Sequence, residues 1–185
     1  MHSGAVVVPA VLAACERFGR NGDAALAGEV LCETAEGYVH RLWEPLAAKQ
    51  CPPNDYAAKF STPFNVAVAF VTGSAGLEAF SERTVRDAKI LALASKVRYV
   101  VDPDNPYPKR YTGHVRMTLK NGRVFEERQS HIRGGVHEPL SCGDIDAKFR
   151  SNAAWGRWPA PVADQFLDFA KEAFNGTIDL SGFRA

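Results

Sequence analysis

The apolar residues of this chain recur with two different spacings, which divide it into predicted helices and strands. Steps of three and four residues, typical of a buried helix face, predict helices at 6–18, 62–72, 81–94, 142–153 and 161–174. The helix at 62–72 is apolar nearly all round, so we expect it to be central. Ser61-Thr62-Pro63 begins it and Gly73 ends it. A proline in the first turn and a glycine just after the last turn are typical of helices.

Alternating or continuous short apolar runs predict the strands. The clearest lie at 29–34, 96–101, 114–119 and 124–132, and a weaker candidate lies at 38–43. Asn121-Gly122 is a typical hairpin turn and predicts that its flanking strands pair antiparallel. The stretch 102–110 contains three prolines and is expected to be a loop. A short helix is expected from Asp23 through Gly28. The fold class is therefore α+β: an antiparallel sheet of about four strands with helices covering one face.

Composition and motifs narrow the function only slightly. The 185 residues are 46% hydrophobic and carry a formal net charge of +1, which is typical of one globular domain and argues against a nucleic-acid partner. The four cysteines form no C-x-x-C pair and the five histidines show no metal-ligand spacing, so no metal site is expected. His114 alone in a strand is interpreted as structural. The residues by themselves indicate only an α+β domain.

The opening segment allows two interpretations. Residues 5–15 are apolar except for Pro9, and Leu12-Ala13-Ala14-Cys15 resembles a lipoprotein cleavage site. However, a secretion signal requires a Lys or Arg before its apolar run, and this chain has none there. The three- and four-residue spacing favours a buried helix that ends at Gly19. We therefore expect a cytoplasmic protein without a membrane span, and cleavage before Cys15 is the alternative.

One long stretch, EPLAAKQCPPNDYAAKFSTPFNVAVAFVTG, carries a resemblance to a known family. Together with LKNGRVFEERQ, GGVHEPLS and AKFRSNA, it resembles the small domain of the MmgE/PrpD family over about residues 28–175. That family includes 2-methylcitrate dehydratases, cis-aconitate decarboxylases and iminodisuccinate epimerases. The segment HSGAVVVPAVLAACERFGRNGDAAL resembles a helix of the family's large all-α domain. The expected organisation is a remnant of the large domain at 1–27 and a small α+β domain at 28–185.

The resemblance implies a function and a set of site residues. Family members act on small di- or tricarboxylates as lyases or epimerases, without a metal or organic cofactor. His2 matches the family's proton-transfer histidine, so it is the expected catalytic residue. Lys59, Ser61 and Phe64 match positions that approach the cleft and are expected to bind substrate. The alternatives are an exposed terminal His2 and a Phe64 that packs in the core.

The same resemblance raises the question of whether this chain is catalytic. The family's acidic residue before the His2 position, its lysine region and its K-x-Y-P region have no match in these 185 residues. Without them, substrate carboxylates lack a clamp. We therefore expect a family member that is incomplete as a catalyst. The alternative is a non-catalytic relic or oligomerisation module, and helix faces left uncovered predict a homo-oligomer, most simply a dimer.

Overall fold

A computed structural model of the chain describes residues 27–173, 179 and 181–183. These residues belong to two units, one ending at Pro139 and the other starting at Leu140. The predicted opening helix and His2 lie outside the described residues, as does Cys15. The part of the chain described here contains no helix long and apolar enough to cross a membrane.

The first unit is built on one four-stranded sheet with the strand order β2-β1-β3-β4. Strand β1 pairs parallel with β2, whereas the β1–β3 and β3–β4 pairs are antiparallel. The α+β class and the strand number are confirmed. The prediction that the sheet is antiparallel is wrong for the β1–β2 pair, because helices connect these two strands and bring the chain back in the same direction. The strands are β1 (Ala27–Thr34), β2 (Val97–Val101), β3 (Gly113–Leu119) and β4 (Val124–Gln129).

The predicted hairpin between β3 and β4 is confirmed. Gly122 has a φ of 80°, which an L side chain rarely adopts. The Leu119 amide donates to the Arg123 carbonyl at 2.8 Å and closes the turn. The turn fixes the register, so that His114 lies opposite Arg128. Strand β4 ends at Gln129, earlier than the predicted end at Ile132.

Six α-helices of the first unit connect β1 to β2, together with one π-helical turn after the first of them and one 3₁₀ turn (Leu77–Phe80). They are α1 (Glu36–Tyr38), the π turn (Val39–Trp43), α2 (Leu46–Gln50), α3 (Asp55–Ala58), α4 (Thr62–Thr72), α5 (Glu82–Val85) and α6 (Ala88–Ala94).

Helix α4 is the central helix, as its sequence predicts. Its residues from Thr62 to Phe70 are all buried, and the helix packs against α2, α6 and β2. The Ser61 hydroxyl caps its start, and Gly73 ends it with a φ of 70°. This left-handed conformation suits a glycine at a helix end.

Three predicted elements differ from the structure. The weaker strand candidate at 38–43 is wrong, because the chain there forms α1 and the π turn. The predicted helix at 81–94 is interrupted at Asp87, whose side chain accepts the amides of Lys89 and Ile90 and starts a new helix. The short helix expected through Gly28 is wrong at its end, because β1 already begins at Ala27.

The inner face of the sheet and α4 together form the core. Trp43 is a buried member of this core. Its indole N–H donates to the Thr34 hydroxyl at 3.0 Å, and its ring packs on Tyr99 at 4.9 Å. The sheet contributes mainly apolar residues to this core, namely Ala27, Val30, Cys32, Val97, Val115, Met117 and Leu119.

Replacing Gly37 with alanine is expected to destabilise the first unit by about 1–3 kcal/mol, the range for overpacking. A Cβ at this position would lie 2.8 Å from Cε1 of Tyr107, and that ring is packed on Tyr38 at 4.4 Å. Urea unfolding followed by far-UV circular dichroism measures the change. Gly76→Ala is the control, because its nearest atom would be Ser74 Oγ at 3.6 Å. Equal unfolding midpoints for the two variants would contradict the tight contact.

The second unit contains two helices, α7 (Cys142–Trp155) and α8 (Ala160–Glu172). Both were expected from the sequence, and Ser141 and Asp144 form a capping box at the start of α7. The helices meet through stacked rings of Phe149 and Phe166, whose centroids are 5.3 Å apart.

Candidate functional site

The segment AKFSTPF lies at the turn into α4, where the structure places two of the expected substrate-binding residues in the interior. Ser61 is fully buried. Its Oγ accepts the Phe64 amide at 3.0 Å, and its hydroxyl donates to the Lys49 carbonyl. The hydroxyl therefore caps α4 and joins it to α2.

Phe64 is also fully buried, and its ring lies 6.4 Å from that of Phe80. This confirms the interpretation that Phe64 packs in the core, and a contact of Phe64 with substrate stays a prediction. Lys59, at the C-terminal end of α3, is partly exposed. Its side chain makes no hydrogen bond or ion pair with another described residue. Lys59 is thus the accessible member of the three.

Two further cations meet at Phe60, one residue before the Ser61 cap. The Lys49 ammonium donates to the carbonyls of Arg41 and Phe60 at 2.6 and 2.8 Å. The Arg41 guanidinium carbon lies 5.0 Å from the centre of the Phe60 ring, within cation–π range. Burial, and then the charge of Arg41, lower the pKa of Lys49. We call Arg41 and Lys49 the cation pair.

A second group of charged residues lies on the outer face of the sheet. His114 is 5% exposed. Its Nδ1 accepts the Glu33 amide at 3.2 Å, and its Nε2 lies 3.0 Å from Glu126 Oε1. Because Nδ1 acts as an acceptor, the proton is assigned to Nε2, which donates to Glu126. The imidazole therefore joins β1, β3 and β4 through both of its nitrogens.

Arg128 completes this group by holding Glu33 in a bidentate pair, with N–O distances of 2.5 and 2.6 Å. The hydrogen bond from Arg128 is the main reason that the pKa of Glu33 is lowered. The hydrogen bond from His114 is the main reason that the pKa of Glu126 is lowered. We call Glu33, His114, Glu126 and Arg128 the sheet network.

A small cavity of about 150 Å³ lies beside the sheet network, lined in part by Asp102, Asn105 and Gln129. This volume is well below that of typical ligand pockets, which are roughly 300–1,000 Å³. Both nitrogens of His114 are occupied, so the imidazole is not available as a general base in this arrangement. The hydrogen bonds of the sheet network therefore join three strands of the sheet.

Neither the buried thiol of Cys32 nor a metal-binding cluster provides a reactive centre in the described part of the chain. Cys32 is buried, and burial raises the pKa of its thiol to about 12, so it stays protonated at neutral pH. Within the described ranges no group of three or more His, Cys, Asp or Glu residues could hold a metal ion. His2, the expected catalytic residue, lies outside those ranges, so its role stays a prediction.

No pattern in the sequence indicates the cation pair or the sheet network as a group. The hairpin turn contains part of the signal for the network, because its register places His114 opposite Arg128. The sequence does not indicate that Glu33 belongs to the same network, because this depends on the pairing of β1 with β3. For the cation pair, Arg41 and Lys49 are eight residues apart and follow no recognised motif.

Comparison with known proteins gives a family model and two distant relatives. The model of the MmgE/PrpD C-terminal domain matches residues 7–162. Cis-aconitate decarboxylase of Mus musculus is 30% identical over 105 residues, which are 56% of this chain and 21% of that protein. Cis-aconitate decarboxylase of Homo sapiens is 29% identical over 104 residues, 56% of this chain and 22% of that protein. The match thus spans about a fifth of the length of these curated relatives.

Proposed function

This chain belongs to the MmgE/PrpD family, and on that basis we propose that it is the small-domain part of a lyase or epimerase acting on small di- or tricarboxylates. The match to the family's C-terminal domain over residues 7–162 carries this proposal. Two relatives named cis-aconitate decarboxylase support the substrate class. We further propose that these 185 residues bind carboxylates but do not by themselves complete the catalytic centre.

The chemistry of the described residues supports this division of roles. Removing a proton next to a carboxylate, or expelling water or carbon dioxide, requires a general base and cations that hold the substrate. Such cations are present in this chain. Lys49 and Lys59 lie within the stretch that begins at Glu44 and resembles the family, and Arg41 lies just before it. The buried His114 has both nitrogens engaged, so it does not provide the base. The catalytic role of His2 remains part of the proposal.

A non-catalytic relic or oligomerisation module is the second candidate. It is favoured by the full burial of Ser61 and Phe64, two of the three residues that the family resemblance assigns to substrate. In this case the small domain folds and associates without turning over a carboxylate. Self-association and a cytoplasmic location stay predictions of both candidates.

A direct assay separates the candidates. The full 185-residue chain is mixed separately with cis-aconitate, 2-methylcitrate and iminodisuccinate and followed by NMR. We expect ligand-induced shifts of protein signals without product, because the cations are present while other site regions of the family have no match in these 185 residues. Binding of none of the three carboxylates would favour the non-catalytic module.

Turnover would contradict the proposal that the chain is incomplete. His2→Ala then identifies the source of the activity, with His137→Ala as the control, since His137 is exposed on a loop after β4. Turnover lost only in His2→Ala would show that His2 acts as a catalytic residue in this chain. Turnover unaffected by either change would require another base.

A further inference from the structure

We propose that Arg41 and Lys49 form a carboxylate-binding subsite at Phe60, at the turn that leads into α4. The choice of ligand class rests on the proposed function. The existence of an anion subsite rests on the geometry of the two side chains. No sequence motif or family resemblance assigns a role to Arg41.

The Lys49 ammonium is held in place but not saturated. Two of its three N–H groups donate to the main-chain carbonyls of Arg41 and Phe60. The third meets no acceptor among the described residues, so it is open to a ligand. The carbonyl of Lys49 accepts the hydroxyl of Ser61. Both ends of the residue are therefore fixed, so binding an anion costs little side-chain entropy.

Arg41 contacts the same residue, Phe60, through its ring. Its guanidinium lies over the Phe60 ring, while the Phe60 carbonyl binds Lys49. The Arg41 side chain is exposed and makes no hydrogen bond or ion pair with another described residue. Its planar N–H groups match the two oxygens of a carboxylate.

The cation pair has no counter-charge of its own within the described ranges. Glu44 is the nearest acid in sequence to either residue, but its two oxygens accept the Tyr99 hydroxyl at 2.7 Å and the Leu46 amide at 2.8 Å. Burial, and after it the charge of Arg41, disfavour the ammonium form of Lys49 and lower its pKa. An anion between the two side chains removes this repulsion and replaces lost solvation.

The subsite lies against the segment that the family resemblance assigns to substrate. Lys49 binds the main chain of Phe60, and Phe60 directly follows Lys59. A carboxylate held by the cation pair would therefore lie near the start of α4. A second carboxylate of the same ligand could then be contacted by Lys59, whose side chain has no described partner. The chemistry predicts a preference for di- over monocarboxylates.

An NMR titration tests the subsite with succinate as the probe. The isotope-labelled full chain is titrated at constant ionic strength, with sodium chloride as the reference, and the side-chain signals of Arg41 and Lys49 are followed. We expect both to move with one apparent Kd. Arg41→Gln should raise that Kd about fivefold or more, the loss of one charge-assisted hydrogen bond. Arg41→Lys keeps the positive charge but loses the planar arrangement of N–H groups. Its Kd for succinate should therefore lie between those of the parent chain and Arg41→Gln.

Arg86→Gln is the matched control. Arg86 is also exposed, and its guanidinium only donates to the Pro53 carbonyl at 3.3 Å, so the Kd for succinate should stay within about twofold. The subsite is overturned if succinate leaves Arg41 and Lys49 unmoved, or if Arg41→Gln binds succinate as tightly as the parent chain. Stronger binding of inorganic phosphate than of succinate would overturn the carboxylate assignment.

Failure of the subsite and failure of the proposed function give different results. If succinate binds at Arg41 and Lys49 but cis-aconitate, 2-methylcitrate and iminodisuccinate do not bind, the subsite stands and the proposed function fails. If the three family ligands bind while Arg41→Gln has no effect, the proposed function stands and the subsite is wrong.

Discussion

Trp43→Ala is expected to destabilise the first unit by about 3–5 kcal/mol, the range for removing a buried large aromatic side chain. Trp43 is 1% exposed, so its removal leaves a cavity beside Tyr99 and takes away the partner of the Thr34 hydroxyl. Urea unfolding followed by far-UV circular dichroism measures the loss, since the other two tryptophans complicate fluorescence. The unfolding midpoint should fall strongly with little change in slope.

Three control variants define which part of this loss comes from packing. Trp43→Phe keeps most of the ring volume but removes the N–H, and Thr34→Val removes its acceptor. Each should cost about 1–2 kcal/mol, as expected for one buried hydrogen bond and its partner. Trp155→Ala, at a side chain that is 51% exposed, should change stability little. A Trp43→Ala variant as stable as Trp155→Ala would contradict the proposed role of Trp43 in the core.

His114→Leu is expected to cost about 2–4 kcal/mol, because it leaves the Glu33 amide without its acceptor and removes a hydrogen bond to a charged group. Leucine fills a similar volume, so packing changes are small. The loss therefore reports the hydrogen bonds that join β1, β3 and β4. Urea unfolding measures it, and amide exchange at Glu33 provides a local readout that should accelerate.

His137→Leu is the control for this second prediction. His137 is exposed, and its ring lies 4.6 Å from that of His131, so its replacement should change stability little. If the two leucine variants unfolded at the same urea concentration, the sheet network would not stabilise the sheet. A stable His114→Leu chain with altered carboxylate binding would instead point to a functional role of the outer face.

If both predictions hold, the two faces of the sheet have different roles. The inner face stabilises the unit by packing apolar side chains against α4, and the outer face stabilises it through the hydrogen bonds of the sheet network. The proposed carboxylate subsite then lies on the helical side, where the π turn, α2 and the start of α4 meet. Family substrates would contact this small domain through its cations rather than through the buried Ser61 and Phe64.

Elements with a local physical cause could be predicted accurately. The start of α4 follows from the Ser61 hydroxyl and its end from Gly73, both within a few residues of the apolar stripe. The β3–β4 hairpin follows from Asn121-Gly122 in the same way. By contrast, residues 38–43 alternate weakly, and their helical conformation depends on burial of Trp43 against Tyr99, a residue far away in the chain.

The amino-acid sequence by itself determined the α+β class, the central helix, the hairpin and the family. The class and the central helix depend on the spacing of apolar residues and on capping residues. The hairpin depends on its turn residues, and the family depends on several short motifs that occur in a fixed order along the chain. Only the tertiary structure decided that β1 pairs parallel with β2, that His114 binds Glu33 and Glu126, and that Arg41 and Lys49 meet at Phe60. Such contacts join residues distant in sequence, and they depend on how strands and helices pack, which local patterns do not encode.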